Sequence, residues 1–255
     1  MSTTANGNGP GPGSLSAFLP EVTGARHQRQ TGGVGDSRAT RQITDPDDER
    51  LDPYRSLRAT TAGSRRRERN LDHVVIEGRL AVERAMEGPL GLASVLVSER
   101  RLGQLGDLLG ALPDGVEVLS AAGELIEDVT GFDVHRGVLA VAPRPAPVDP
   151  AALLARSRRV VVLEGLNDLE NTGSVFRTAA ALGIDGVILD SACADPLYRR
   201  CVRVSLGWST VLPHARIPPG TDPLALAAAC GHRTVALTPH PDALDVASAA
   251  HEGLL

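Results

Sequence analysis

The chain has 255 residues, a formal net charge of -5 and 2% aromatic residues. That length suits about two domains. The charge excludes a globally basic nucleic-acid-binding field, and so few aromatics argue against single strands stacked on an aromatic platform. All 26 basic residues are arginine, which codon bias in a GC-rich genome explains, although arginine also offers phosphate a bidentate fork. Cys193, Cys201 and Cys230 are odd in number and lack CxxC spacing, so neither a disulfide framework nor a metal site is expected. No apolar run approaches the ~18 residues of a membrane span, and the N-terminus has no signal-peptide pattern. The expectation is a cytoplasmic protein with no membrane partner.

Residues 1–40 are Gly, Ser, Thr, Asn and Gln with scattered arginines, too polar to offset ordering entropy, and are expected to be a disordered extension. Residues 44–69 carry mixed charge and read as a solvated helical entry segment, or, at Arg65 to Arg69, as a contact to a nucleic-acid backbone. Regular patterning begins at His73. Strands are expected at 74–76, 94–97, 116–119 and 137–141, with helices at 78–86, 100–112 and 122–129 between them. That alternation predicts a small α/β sandwich with a mostly parallel sheet over residues 41–142. It holds no cluster suited to acid–base chemistry, so a binding domain is expected. The turn Gly131-Phe-Asp-Val-His-Arg-Gly137 places His135 and Arg136 on a loop, either solvated or in contact with a ligand. Four prolines between Pro143 and Pro150 then predict a stiff linker and a domain boundary.

The second domain, 151–255, opens with a helix at 150–155 and a buried strand, Val160 to Leu163. A polar turn follows, and a helix is expected from Thr172 to Leu182, closed by Gly183. Strand, polar turn and helix start form the place where open α/β sheets put ligand sites. Asn171, Gly173 and Arg177 are the candidates there. Gly165 and Gly173 do not fit GxGxxG, which disfavours a dinucleotide site. A strand at 186–189 ends in Asp190. Asp195 and Pro196 suit a helix start, and Arg199, Arg200 and Arg203 would share one broad face of that helix. An element at 210–212, a helix near 224–229 and a parallel strand at 234–237 complete the pattern.

Asn171-x-Gly-x-x-x-Arg177, followed by Asp195-Pro-Leu-Tyr-Arg-Arg-Cys-Val-Arg-Val-Ser-Leu-Gly207, resembles the SpoU (TrmH) family of RNA ribose 2′-O-methyltransferases. Ile76-Glu-Gly-Arg-Leu-Ala-Val-Glu-Arg84 and Gly131 to Ala140 resemble the L30e-like RNA-binding domain that often precedes the catalytic one. The resemblance covers residues 43–238 and implies an L30e-like sandwich followed by a SPOUT-type parallel-sheet domain. It implies methyl transfer from S-adenosylmethionine to a ribose 2′-hydroxyl of structured rRNA or tRNA, and a homodimer. Arg177 would act on the hydroxyl and Asn171 would help to hold that site. Gly173, Arg199, Arg200, Arg203, His135 and Arg136 would contact RNA, with Gly173 letting the backbone pass close to RNA or to a neighbouring turn. In the family, a Gly-x-Glu-x-x-Gly turn and an Ile-Pro-Met segment lie further on and build the knot and most of the cofactor pocket. Neither occurs between Thr238 and Leu255. The expectation for these residues is therefore a C-terminally truncated domain without knot or family-type cofactor pocket. The competing expectation is an inactive RNA-binding remnant.

Overall fold

In a computed structural model of the chain, the described residues are 39–57, 72–134, 137–238, 240–243 and 245. All belong to one compact unit that starts at Ser37. The expected N-terminal extension up to residue 38, the arginines 65–69, and His135 and Arg136 lie outside the described residues.

A five-stranded sheet comes first. Its strands are β1 (Thr40–Gln42), β2 (His73–Glu77), β3 (Ser94–Ser98), β4 (Glu117–Ala121) and β5 (Val138–Pro143), in the spatial order β1-β4-β3-β5-β2. β1, β4 and β3 run parallel, but β5 pairs antiparallel with both β3 and β2. The sheet is thus mixed, where a mostly parallel one was expected. Helical crossovers return the chain in the same direction up to β4, whereas β5 enters from the other end between β3 and β2.

Both faces of this sheet are buried, because alternate side chains of a strand point to opposite sides. Val95 and Val97 face α1 (Arg79–Glu87) and α2 (Gly106–Ala111), while Leu96 faces α3 (Gly123–Thr130). The expected helix 100–112 is split. A 3-10 turn, Glu99–Gln104, precedes α2, with Gly103 and Gly106 flanking the break where glycine weakens a continuous helix. The entry segment is not solvated: the 3-10 turn Glu49–Tyr54 buries Leu51 and Tyr54 completely under the second face. Burial pushes the Tyr54 phenol well above its ordinary range, and its hydroxyl lies 2.8 Å from Ser94 Oγ.

The second sheet has three parallel strands, β6 (Val160–Leu163), β7 (Gly186–Leu189) and β8 (His214–Arg216), in that order. α4 (Pro150–Arg156) and α7 (Pro223–Ala229) cover one face, burying Leu153, Leu154, Ile188 and Ala227. Each begins with an Asp cap followed by Pro at the first helical position. The other face packs Phe176 and Ala179 of α5 (Leu169–Ala181) on Val187 and Leu189. Residues 210–212 run from the end of a 3-10 turn, Trp208–Thr210, into a bend, and β8 starts two residues later. The expected strand 234–237 does not form: these residues belong to no helix or strand and pair with no described strand, with Val235 49% and Leu237 83% exposed.

One further helix, α6 (Arg199–Val204), joins the two sheets. Leu197 and Val202 are buried in the core of the first sheet, with Ile76, Ala81 and Val138. Gly207 follows with φ +85°, and a Cβ there would lie 2.9 Å from Ala81 Cα, so α1 and this turn touch backbone to backbone.

Candidate active site at the ends of the parallel strands

α5 starts three residues earlier than its apolar pattern suggests, because Asp168 caps it. The Asp168 carboxylate accepts from Asn171 N at 2.7 Å. Asn171 is therefore in the first helical turn and not in the preceding loop, with its side chain exposed. At the other end Gly183 N and Ile184 N bond back to Ala180 O and Ala179 O, the closing pattern that glycine at this position favours.

Arg177 projects from the middle of α5. It is exposed, and among the described residues no hydrogen bond or ion pair holds it. It lies six positions beyond Asn171, about 9 Å along the axis and about 120° around it. The two do not share a face. A substrate touching both would lie across the first turns of the helix.

Gly173 lies four residues before Arg177, on the same flank of the helix. It is buried, and a Cβ at this position would lie 2.9 Å from Cys201 O and 2.9 Å from Val204 Cβ. Its closeness is to α6, a neighbouring element, and not to open solvent where RNA would pass. Cys201 completes that contact by donating its thiol to Leu169 O at 3.1 Å.

The three arginines expected on one face of α6 are separated by the structure. Arg199 forms an ion pair with Glu77 at the end of β2, donates to Leu57 O at 3.2 Å and stacks on Phe132 at 4.1 Å. Its side chain is only 12% exposed, so it is packed between elements. Arg203, one turn on, lies 3.4 Å from the other Glu77 oxygen and keeps 40% of its side chain exposed. Arg200 points the other way, to an exposed ion pair with Glu170 on α5. Asp195 does not cap α6. One oxygen accepts from Leu197 N at 3.0 Å and the other pairs with Arg144 of the proline-rich connection, so a turn intervenes and the helix begins at Arg199.

The strand ends are tied by groups that sequence inspection did not single out. Asp190, just after β7, accepts from Gly165 N at 2.8 Å, Ala192 N at 2.9 Å and Cys193 N at 2.8 Å. Burial works against its charge, but the Cys193 thiol and these backbone donors outweigh it and hold the carboxyl below the ordinary carboxylate range. Burial first, and then Asp190, push the Cys193 thiol up. Arg216 of β8 donates to Asp190 O at 2.5 Å, Cys193 O at 3.0 Å and Ala194 O at 2.9 Å. The loops leaving β6 and β7 are thereby tied to each other and to β8. A carboxylate directly ending an apolar strand was the visible signal at both Glu77 and Asp190, but only tertiary structure supplies their partners.

Among the described residues no group of three or more His, Cys, Asp or Glu could hold a metal ion, and no helix is long and apolar enough to cross a membrane. An exposed arginine on a helix that follows the end of a parallel strand suits recognition of phosphate or ribose oxygens.

The chain is similar to known proteins. Residues 158–252 match the model of the SpoU rRNA Methylase family. An uncharacterized tRNA/rRNA methyltransferase of Mycobacterium tuberculosis is 38% identical over 216 residues, which are 82% of this chain and 73% of that protein. The 23S rRNA (guanosine(2553)-2'-O)-methyltransferase RlmP of Bacillus subtilis is 26% identical over 142 residues, 56% of this chain and 53% of that one. Among solved structures, the AdoMet-bound rRNA methyltransferase of Sinorhizobium meliloti superposes with a TM-score of 0.54 at 22% identity, covering 69% of this chain. This chain spans 64% of that structure's length. The α/β fold is that of the SpoU methyltransferases, and with a relative this similar over most of both chains, the protein belongs to the SpoU family of RNA methyltransferases.

Proposed function

We propose that the chain transfers a methyl group from S-adenosylmethionine to a ribose 2′-hydroxyl of rRNA or tRNA, with Arg177 as the residue that positions the acceptor. The observation that supports this most is the state of Arg177: an exposed guanidinium on a helix, uncommitted among the described residues, within the range 158–252 that matches the family. Guanidinium titrates above pH ~12 and is a poor base. Its contribution is to donate hydrogen bonds that orient the ribose hydroxyl and its phosphate and stabilise charge as it develops on the oxygen. Asn171, at the helix start, holds the next nucleotide or the far side of the ribose through its amide.

S-adenosylmethionine, when bound, supplies the methyl group as an electrophile. At the ends of β6 to β8 the N–H groups of Gly165, Ala192 and Cys193 are occupied by Asp190, and three carbonyls by Arg216. Those backbone groups are thus already paired within the chain, and the residues named above are proposed for the acceptor side of the reaction. Residues 41–142 act as the RNA-binding unit and 151–255 as the methyltransferase unit, joined by 143–150. Arg200, Arg203, His135 and Arg136 contribute phosphate contacts. Gly173 and Arg199 serve packing instead.

Titration calorimetry with S-adenosylmethionine and with structured rRNA or tRNA, combined with transfer of labelled methyl, tests the proposal. Binding of both ligands and labelled RNA are expected. RNA binding without cofactor binding or transfer would support the non-catalytic RNA-binding alternative instead.

A further inference from the structure

α6 is a six-residue helix with contacts on both sides. Towards the first sheet it buries Val202, and the residue two before its start, Leu197, is buried in the same core. Towards the second it presents Cys201 O and Val204 to Gly173, leaving no room for a side chain between the two helices. A helix this short has little stability of its own and takes its position from its neighbours.

Apolar packing alone fixes such a position loosely, since Leu and Val tolerate small slides. The polar contacts are directional. Glu77 is 6% exposed and places one oxygen on Arg199 and the other 3.4 Å from Arg203 Nη1, so a single carboxylate grips two successive turns of α6. Arg199 is held from two further elements, by Leu57 O and by the Phe132 ring. Beyond α6, the sole tryptophan, Trp208, carries the Arg84 guanidinium 3.9 Å from its ring centroid, tying the same segment to α1. A buried carboxylate between two arginines contributes little net stability compared with an apolar substitute, and its attested use is to specify one arrangement among several.

We propose that Glu77 and Arg199 are positioning residues, which act through α6 and its backbone contact with Gly173 to set α5 and Arg177. The first sheet is then a structural part of the active site, and its role goes beyond holding RNA. This rests on the methyltransferase function proposed for Arg177. The path is continuous: β2, Glu77, Arg199 and Arg203, α6, Gly173, then Arg177 one turn further along α5. Displacement of a reacting group by about 1 Å can cost about 100-fold in rate, so a small slide of α6 suffices to matter.

The full chain is compared with Glu77→Gln, which keeps the side-chain shape and removes the charge, and with the milder Arg199→Lys. Expected for Glu77→Gln are a fall in kcat of about tenfold or more, KM for RNA within about twofold, and a red shift of Trp208 emission as its junction loosens. Hydrogen exchange in α5 and α6 should speed up, while exchange in β3 and β4 stays slow. Arg199→Lys should shift all four readouts the same way by less. If Glu77→Gln is insoluble, Arg199→Lys carries the test alone. Unchanged kcat, or a loss confined to KM for RNA, would overturn the proposal. If the unmodified chain transfers no methyl, the function proposed for Arg177 fails; hydrogen exchange still decides the coupling, with faster exchange in α5 supporting it and unchanged exchange overturning it.

Discussion

At the scale of single residues, Arg177 and Asp190 illustrate opposite uses of a charge. Arg177 is exposed and unengaged among the described residues, so removing it should cost the fold little. Arg177→Ala is expected to change unfolding stability by less than about 0.5 kcal/mol, while methyl transfer falls by about 100-fold or more. Denaturant melts beside a transfer assay separate the two. Asp190 is engaged by three backbone donors and titrates below the ordinary range. Its folded pKa is depressed, so the stability it contributes is fully present above the unfolded value of about 3.9. That contribution is lost as pH falls through the folded value. Asp190→Asn should therefore melt lower than the wild type at neutral pH, with the gap closing below about pH 4. A gap that stayed constant in acid would contradict the assignment.

At the scale of elements, most of the strands and helices were legible because apolar alternation and Asp-Pro or Gly punctuation mark them in the sequence. β6, β7, α4 and α7 follow those signals within a residue or two. The misplacements have physical causes. Asn171 moved into α5 because Asp168, three residues upstream, makes the cap. The antiparallel β5 could not be told from a parallel strand, since periodicity carries no direction. Residues 234–237 alternate like a strand but pair with no described partner. At the site, Asn171 and Arg177 were readable as polar groups after a strand. Glu77 was not, because its arginines are more than 100 residues away. Gly173 tests the element contact directly. Gly173→Ala would force a Cβ to within 2.9 Å of Cys201 O, and overpacking of this kind costs about 1–3 kcal/mol. A lowered denaturant midpoint with unchanged slope is expected.

At the scale of the whole molecule, a chain of net charge -5 must bind RNA through local arginines and not through a global field. RNA affinity should fall as salt rises, with a log–log slope shallower than that of a strongly basic protein, because few phosphates are neutralised. Filter binding across a salt series measures it, and an affinity independent of salt would remove phosphate contact from the mechanism. The segment around α6 buries Leu197 and Val202 in the core of the first sheet and meets Gly173 of α5 on its other side, so it packs against both parts of one compact unit. The most direct measurement is alkaline hydrolysis of RNA after incubation with the chain and labelled S-adenosylmethionine, because a ribose 2′-O-methyl blocks cleavage of the adjoining phosphodiester. Label in alkali-resistant dinucleotides with the wild type, and its loss with Arg177→Ala, is the result predicted. Label recovered only in mononucleotides, or no difference between wild type and Arg177→Ala, would contradict ribose methylation at this site.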